Sequence, residues 1–442
     1  AAALFGAVLF ILAINPGGEP VDKGFGFYND PSAYHEYDAA GMRDLVKVHQ
    51  LLYYRDGPTA TVCVQQIDRY KLLKINGKTD ASNGAGDINT QLLLGHLPLM
   101  AGDAKRVAII GLGSGMTAGA VLAHAVEEVD VFEIEPAVVE ASFYFNDLNG
   151  KPLADPRLRL ILGDARSHLS RKGKPYDLIV SEPSNPWITG VSNLFTRDFF
   201  ALAASRLKKD GILSQWFHLY GMSEESTRSL VATFRDVFPH TLVFKDRDLV
   251  LLGSRRPIRF NIQHMQQLFR DPRIRENLSL TFVRYPFDLL IQLRLDEKGA
   301  MAFSKGAVLN TDDNLLLELA APRSLYHNRI DVIRSEISRH SRSIIDHLTG
   351  YTSEAEIYFE LAASHFTAGN KEEAYRTCLH SLRITDSFNG RKLLGQILQS
   401  MSRNREAREA FIAALSLGGE DGDRKIVEAL LQSLESADMQ TP

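Results

Sequence analysis

The stretch Arg106–Ala125, RVAIIGLGSGMTAGAVLAHA, decides how this chain is read. An apolar, β-branched run from Val107 to Ile110 meets a glycine turn at Gly111, Gly113 and Gly115, and a helical run begins near Met116. A strand that stops at glycines and opens a helix presents bare backbone N–H groups at a helix N-terminus, where an adenosine-type cofactor can approach closely. A lone GxGxG is weak evidence, because a simple tight turn needs the same glycines. Further strand ends in the same rhythm strengthen it. VDVFEIE ends in Glu133 and Glu135, about 20 residues on, where an acid can take the hydroxyls of a ribose. LRLILGDAR ends in Asp164, and YDLIVSEPSNPW reaches Glu182. Strand ends bearing Gly, Glu, Asp and Glu describe one crevice at the edge of a parallel sheet.

Working outward, strands are predicted at 106–111, 129–134, 157–162, 176–182, 210–216 and 241–253, the last as two strands around a turn at Asp246-Arg247-Asp248. This alternation, closed by an antiparallel pair, predicts an α/β fold with a class I methyltransferase-like (Rossmann-like) sheet over residues 106–255. Residues 45–105 read as a small antiparallel β-domain: LVKVHQLLYYR, TATVCVQQI and YKLLKING, set off by turns at Asp56-Gly57-Pro58 and Asn76-Gly77. A helix carrying Gln91 and His96 follows over 87–100, with His96 expected to make a structural hydrogen bond. Residues 256–345 are a mixed extension without a clear period.

Residues 346–442 repeat. YFELAASHFTAGNKEEAYRTCLHSL and RKLLGQILQSMSRNREAREAFIAAL align at an offset of 33 residues, matching Leu361 with Leu394, Ala362 with Gly395, Ala374 with Ala407 and Leu382 with Leu415. Small residues at helix crossings and this period resemble tetratricopeptide hairpins, with Asp423–Leu434 as a capping helix. Two such units are fewer than the three usually needed, so they are expected to pack on the preceding domain. They also offer a surface for protein partners.

Ala1–Ile14 carries no charge and ends at Asn15-Pro16-Gly17-Gly18. Fourteen helical residues reach about 21 Å, short of the roughly 20 residues that a bilayer needs, and no basic segment marks a signal peptide. Residues 1–18 are therefore expected to be the end of a transmembrane helix that begins before residue 1, with 19–44 as an irregular juxtamembrane linker. A short buried helix is the alternative. The chain would be membrane-anchored with a soluble domain on one face, the cytoplasmic side being favoured because adenosylated donors are found there. The 442 residues and net charge of −4 imply two or three domains and no nucleic-acid partner. Cys63 and Cys378 lie far apart and read as buried thiols. Asp312 and Asp313 form an acid pair that is expected to be solvated or capping, so no metal is predicted.

Taken in order, GLGSG, FEIEP, GDAR, YDLIVSEPSNPW, LFTRDFF and GILSQW resemble the spermidine synthase (polyamine aminopropyltransferase) family over roughly residues 45–320. NGKTDAS, EPSNPWITG and NTDD are closer still to the membrane-fused spermidine synthase-like proteins, whose soluble domain follows a transporter-like set of transmembrane helices. The resemblance implies a kept nucleoside half. Glu133 would hold the ribose, Asp164 and Ala165 would read adenine, Gln91 would line the donor pocket, and Gly111, Gly113 and Gly115 would form the glycine turn. It also implies an altered amine half. Ser114 stands where the family's aspartate binds the donor's aminopropyl ammonium, and Thr90 stands where a tyrosine is usual. Glu182 and Asn185 occupy the places of two aspartates three residues apart. His218 and Tyr220 fall where the acceptor would sit, and Trp187 could stack on a ligand or fill its own loop.

Aminopropyl transfer is attack by an amine on the carbon beside a sulfonium, and the amine must first lose a proton. A positioned carboxylate does this, typically for 10²–10⁴-fold in rate. The Asn185 amide cannot accept that proton, whereas Glu182 can. Fewer carboxylates would weaken the pull on a dicationic amine, and Ser114 makes S-adenosylmethionine, alongside its decarboxylated form, a plausible donor. Two functions follow: a transferase acting on a polyamine or other amine, with methyl transfer as a variant, or a catalytically inactive scaffold subunit of a membrane complex.

Overall fold

The computed structural model describes residues 41, 44, 46–183, 185–188, 190–245, 247–324 and 329–438. The expected transmembrane segment lies outside the described residues. Among the described residues, no helix is long and apolar enough to cross a membrane.

The N-terminal sheet is an antiparallel meander of four strands, β1 (Gln50–Asp56), β2 (Thr61–Ile67), β3 (Tyr70–Ile75) and β4 (Lys78–Ser82). The sequence reading stopped at three. Asn76 and Gly77 both have positive φ, 48° and 77°, and the pair joins Ile75 directly to Lys78. Such a two-residue turn matches the twist of a hairpin, so the chain folds back as a strand where an ending was expected. Between Leu73↔Ala81 and Lys74↔Thr79 the register slips, leaving Asp80 as the extra residue of a β-bulge. Helix α1 (Ala85–Ala101) follows and is buried along most of its length.

The central sheet holds β5 (Arg106–Ile110), β6 (Glu128–Glu133), β7 (Leu158–Leu162), β8 (Tyr176–Ser181), β9 (Leu207–His218), β10 (His240–Phe244), β11 (Asp248–Ser254) and a short β12 (Leu293–Leu295). The strand order is β12-β10-β11-β9-β8-β5-β6-β7. β5 pairs in parallel with both β6 and β8, while β11 runs antiparallel to β9 and to β10. This is the predicted class I methyltransferase-like arrangement, with β12 added from the segment that had no readable period. The chain moves outward from β5 to β7, then returns to β8 and continues the other way. The gap between β5 and β8 is therefore the switch point, where ligands of open α/β sheets bind. Helices α2 (Met116–Leu122), α3 (Pro136–Ser142), α4 (Ala165–Ser170), α5 (Arg197–Arg206) and α6 (Glu224–Val237) connect the strands.

Phenylalanines fill one side of this sheet. Phe195, Phe199, Phe200, Phe217, Phe234 and Phe238 are fully buried, and Phe200 meets Phe234 edge-on at 5.1 Å. Rings of this size carry much of a core's burial and favour edge-to-face contacts.

The second compact unit contains residues 261–269 and 283–292 together with 348 onward. Its main helices are α7 (Glu354–Thr367), α8 (Lys371–Ile384), α9 (Phe388–Ser400), α10 (Asn404–Ser416) and α11 (Asp421–Asp438). α7 packs on α8 and α9 packs on α10. Ala362, Ala374 and Ala407 are fully buried, and a Cβ on Gly395 would come within 2.4 Å of the Phe411 ring. Small residues are thus required where these helices cross. Within the same unit the short helix Pro286–Leu290 packs on α7. Cys63 and Cys378 are free and buried.

Candidate active site at the switch point of the sheet

The glycine turn after β5 is held open by positive φ at Gly111, Gly113 and Gly115, 90°, 51° and 79°. A side chain at Gly111 would meet the backbone of Glu182 at 3.3 Å, so the two strand ends of the switch point touch through this glycine. Glu133, at the tip of β6, is only 6% exposed. Its two carboxylate oxygens accept from the N–H of Leu112 and of Glu135, each at 2.9 Å. The strand tip and the glycine turn are locked together by this one group, and each oxygen keeps a lone pair for a ligand hydroxyl. Burial raises the carboxyl pKa, and the two backbone donors oppose the rise.

Glu135 has a different task. It caps α3 by accepting from Ala137 N at 3.0 Å, and it accepts from Thr59 N, Thr59 Oγ1 and Ala60 N at 2.8, 2.7 and 3.1 Å. It fastens the β1–β2 turn to the central sheet. Asp164 is an exposed N-cap for α4, its carboxylate accepting from Arg166 N at 3.3 Å and Ser167 N at 2.8 Å, and Ala165 is the buried first residue of that helix. Gln91 and Ser114 are buried and spend their side chains on each other: the Ser114 hydroxyl donates to Gln91 Oε1, while Gln91 Nε2 donates to Ser82 O at 3.3 Å.

Glu182 follows β8, its N–H bonded to Ile110 O at 3.0 Å. Burial pushes its carboxyl up to about 8. The nearby Thr117 hydroxyl resists this, and the negative charges of Asp80 and Glu133 add to it. Three carboxylates, from β4, the tip of β6 and the residue after β8, therefore lie close enough to feel one another. Asn185, three residues on, is buried with φ 56°, a left-handed conformation that asparagine tolerates well. Its Nδ2 donates to Asp80 Oδ1 at 3.2 Å.

The part of the crevice that the resemblance assigns to an amine holds more carboxylates than the sequence reading counted. Asp80 from the β4 bulge, Asp87 from α1 and Asp248 from β11 all raise the Tyr220 phenol well above its ordinary range, after burial itself. Asp248 had been read as part of a turn. It begins β11, and burial raises its carboxyl pKa against the attraction of Lys245. The Thr90 hydroxyl lies 3.0 Å from Gly86 O and 3.3 Å from Asp248 Oδ2, and it accepts from the Lys245 ammonium. Tyr220 stacks on His218 with ring centroids 3.7 Å apart, and Trp187 meets His218 edge-on at 4.9 Å. The His218 Nδ1–H donates to Tyr220 O at 3.0 Å, leaving the buried Nε2 without a hydrogen-bond partner. Burial, with Lys78 nearby, holds the imidazole pKa well below its ordinary value, so the ring is neutral.

Lys78 was missed in the sequence. Its Nζ donates to Tyr220 OH at 2.6 Å, lies 3.8 Å from Asp80 Oδ1, and sits 4.7 Å and 6.0 Å from the ring centres of Tyr220 and Trp187. His96 is structural as expected, its ring nitrogens bonded to His124 at 2.8 Å and Asn277 at 2.7 Å. Asp312 pairs with Arg166 and accepts from Thr196 Oγ1 at 2.7 Å. A cavity of about 300 Å³ opens beside the start of β8, near Pro98, Asp177, Asp210 and Arg256. Asp177 there is already bonded to Lys105 N, Arg106 N and Lys208 Nζ, so that cavity does not compete with the switch point as the site of chemistry.

Residues 88–244 match the family described as the spermine/spermidine synthase domain. The chain carries a spermine/spermidine synthase domain. Putrescine N-methyltransferase 2 of Nicotiana attenuata is 29% identical over 219 residues, covering 47% of this chain and 57% of that protein. Spermidine synthase 2 of Datura stramonium is 29% identical over 207 residues, 45% of this chain and 63% of that protein. The chain thus spans little more than half the length of these relatives. Among solved structures, the spermidine synthase from Thermotoga maritima aligns with a TM-score of 0.44 at 19% identity, over 50% of this chain and 78% of that one. The matched span contains Glu133, Glu182, Asn185 and Tyr220 of the synthase domain, while Lys78 and Asp80 precede it and Asp248 follows it.

Proposed function

We propose that the synthase domain binds an adenosyl sulfonium donor, S-adenosylmethionine or its decarboxylated form, and transfers an alkyl group from it to an amine. The observation that carries this reading is the convergence of Glu133, Glu182 and Asp80 at the switch point, where burial and mutual repulsion push Glu182 to about 8. A sulfonium and an ammonium arriving there neutralise charges that otherwise repel. A base with a pKa near the working pH is also well matched to proton removal.

In this scheme Glu133 takes the ribose and the glycine turn lets the nucleoside approach. Glu182 accepts the proton of the acceptor ammonium. The freed nitrogen lone pair attacks the carbon next to sulfur, and the carbon–sulfur bond breaks with its electron pair left on sulfur, giving a neutral thioether nucleoside. Asn185 holds Asp80 in place through its amide. Calorimetric titration with S-adenosylmethionine, its decarboxylated form and methylthioadenosine tests the reading. Binding of a donor, followed by thioether release only when an amine is added, is the expected result. Silence towards all three ligands overturns it.

A further inference from the structure

We propose that Lys78 supplies, from within the protein, the ammonium that a diamine would otherwise bring to this cavity, so that the acceptor is an amine whose distal end carries no positive charge. The proposal rests on reading the crevice as an alkyl-transfer site, and it concerns which amines that site admits.

A diamine acceptor attacks with one nitrogen and keeps the other charged, so its site must provide a seat for the second cation. The groups such a seat needs are carboxylates to neutralise the charge and aromatic faces to hold it. Both are here, and both are occupied. The Lys78 Nζ sits 4.7 and 6.0 Å from the ring centres of Tyr220 and Trp187, donates to the Tyr220 hydroxyl at 2.6 Å and faces Asp80 at 3.8 Å. The Lys78 and Asp80 side chains are only 14% and 12% exposed, so this cation is not one that folds out into water. Burial lowers the Lys78 pKa, and the carboxylates of Asp80, Asp87 and Asp248 oppose that fall and favour the charged form. A second ammonium entering the same box would meet Lys78 in a poorly screened setting, where like charges repel strongly.

The placement is built by the fold. The Asn76-Gly77 turn starts β4 at Lys78, and the bulge turns Asp80 towards both Lys78 and Asn185. His218 contributes a neutral, buried Nε2 beside the same rings, an acceptor suited to an N–H or O–H on an uncharged tail. An amine with a neutral distal end finds an aromatic wall, a hydrogen-bond acceptor and Glu182 for its single charge. It lacks only a vacant seat for another cation, and it does not need one.

The test compares 1-aminobutane with 1,4-diaminobutane, matched in length, by calorimetric titration of the full chain. Wild type, Lys78→Met and Lys78→Arg are titrated with and without methylthioadenosine. Wild type is expected to favour the monoamine by at least about tenfold, which corresponds to about 1.4 kcal/mol. Lys78→Met keeps the length of the stem but removes the charge, and should reverse the preference. Lys78→Arg should retain it. A wild type that binds the diamine as tightly as the monoamine, or that binds neither, overturns the proposal, as does an unchanged ratio in folded Lys78→Met. If Lys78→Met fails to fold, the wild-type and Lys78→Arg ratios still decide. Failure of methylthioadenosine to bind refutes the adenosyl reading separately, because the amine ratio is measured without it as well.

Discussion

The two halves of the crevice are built by opposite means. On the side proposed for the nucleoside, Glu133 is fixed by backbone N–H groups from Leu112 and Glu135, within the local rhythm of strand, glycine turn and strand. On the side proposed for the amine, Lys78, Asp80, Asn185, His218 and Tyr220 come from β4, the loop after β8 and the end of β9 with the residues just after it, and hold one another by side-chain contacts. Backbone-held groups survive changes of neighbouring side chains, whereas a side-chain network changes character with each substitution. A fold can therefore keep one donor chemistry while its choice of acceptor drifts.

The largest effect that would break this contrast concerns Glu182, which stands between the halves. Glu182→Gln keeps the shape and removes the base, and turnover followed by release of the thioether nucleoside should fall by about 10²–10⁴-fold. A loss below tenfold would move the proton acceptor to Asp80. Next in size is Glu133→Ala. It strips two buried N–H groups of their acceptor, at about 1–3 kcal/mol each, so the melting temperature should fall together with adenosyl affinity. A loss of affinity with unchanged stability would show that the backbone does not depend on Glu133 for its shape.

Glu182→Gln should also alter stability with pH. At about pH 4 the carboxyl is protonated in both the folded and unfolded chain, and the variant matches wild type. Between about 4.5 and 8 the unfolded chain ionises while the folded one holds its proton, so wild-type stability falls as pH rises. In the ligand-free protein at pH 9 the variant should be more stable by about 1–3 kcal/mol, less than the full shift implies because the group is part-exposed. Thermal melts across this range check the sign. The smallest effect is at Asp164. Asp164→Asn keeps the cap on α4, so stability should change by less than about 0.5 kcal/mol. Methylthioadenosine affinity should weaken several-fold if the carboxylate also faces the purine, and unchanged affinity would leave Asp164 as a cap alone.

The order of strands and the place of the crevice were legible because they depend on local signals, namely apolar runs such as Val107–Ile110, glycines with positive φ, and acids at strand tips. Side-chain duties were less so. Glu133 and Glu135 look alike in the sequence, yet one faces the glycine turn and the other clamps Thr59 and Ala60, a contact 75 residues apart in sequence. Gln91 was expected to line the donor pocket and Ser114 to stand at the family's aspartate position, and their bond to each other left no mark in the sequence. Lys78 and Asp80 escaped notice because Asn76-Gly77 was taken as an ending, and a bulge leaves no mark in the alternation of residues. Asp248 was hidden in an acidic turn.

The Asn76-Gly77 corner has a reach beyond its own strand. Side chains along a strand alternate between faces, so sliding β4 by a single residue would carry the internal cation and its carboxylate partner to the other side of the meander. On the proposed reading, these two small residues act as an alignment pin for acceptor choice. Damage there would surface as lost discrimination among amines in a protein that still folds and still holds its nucleoside.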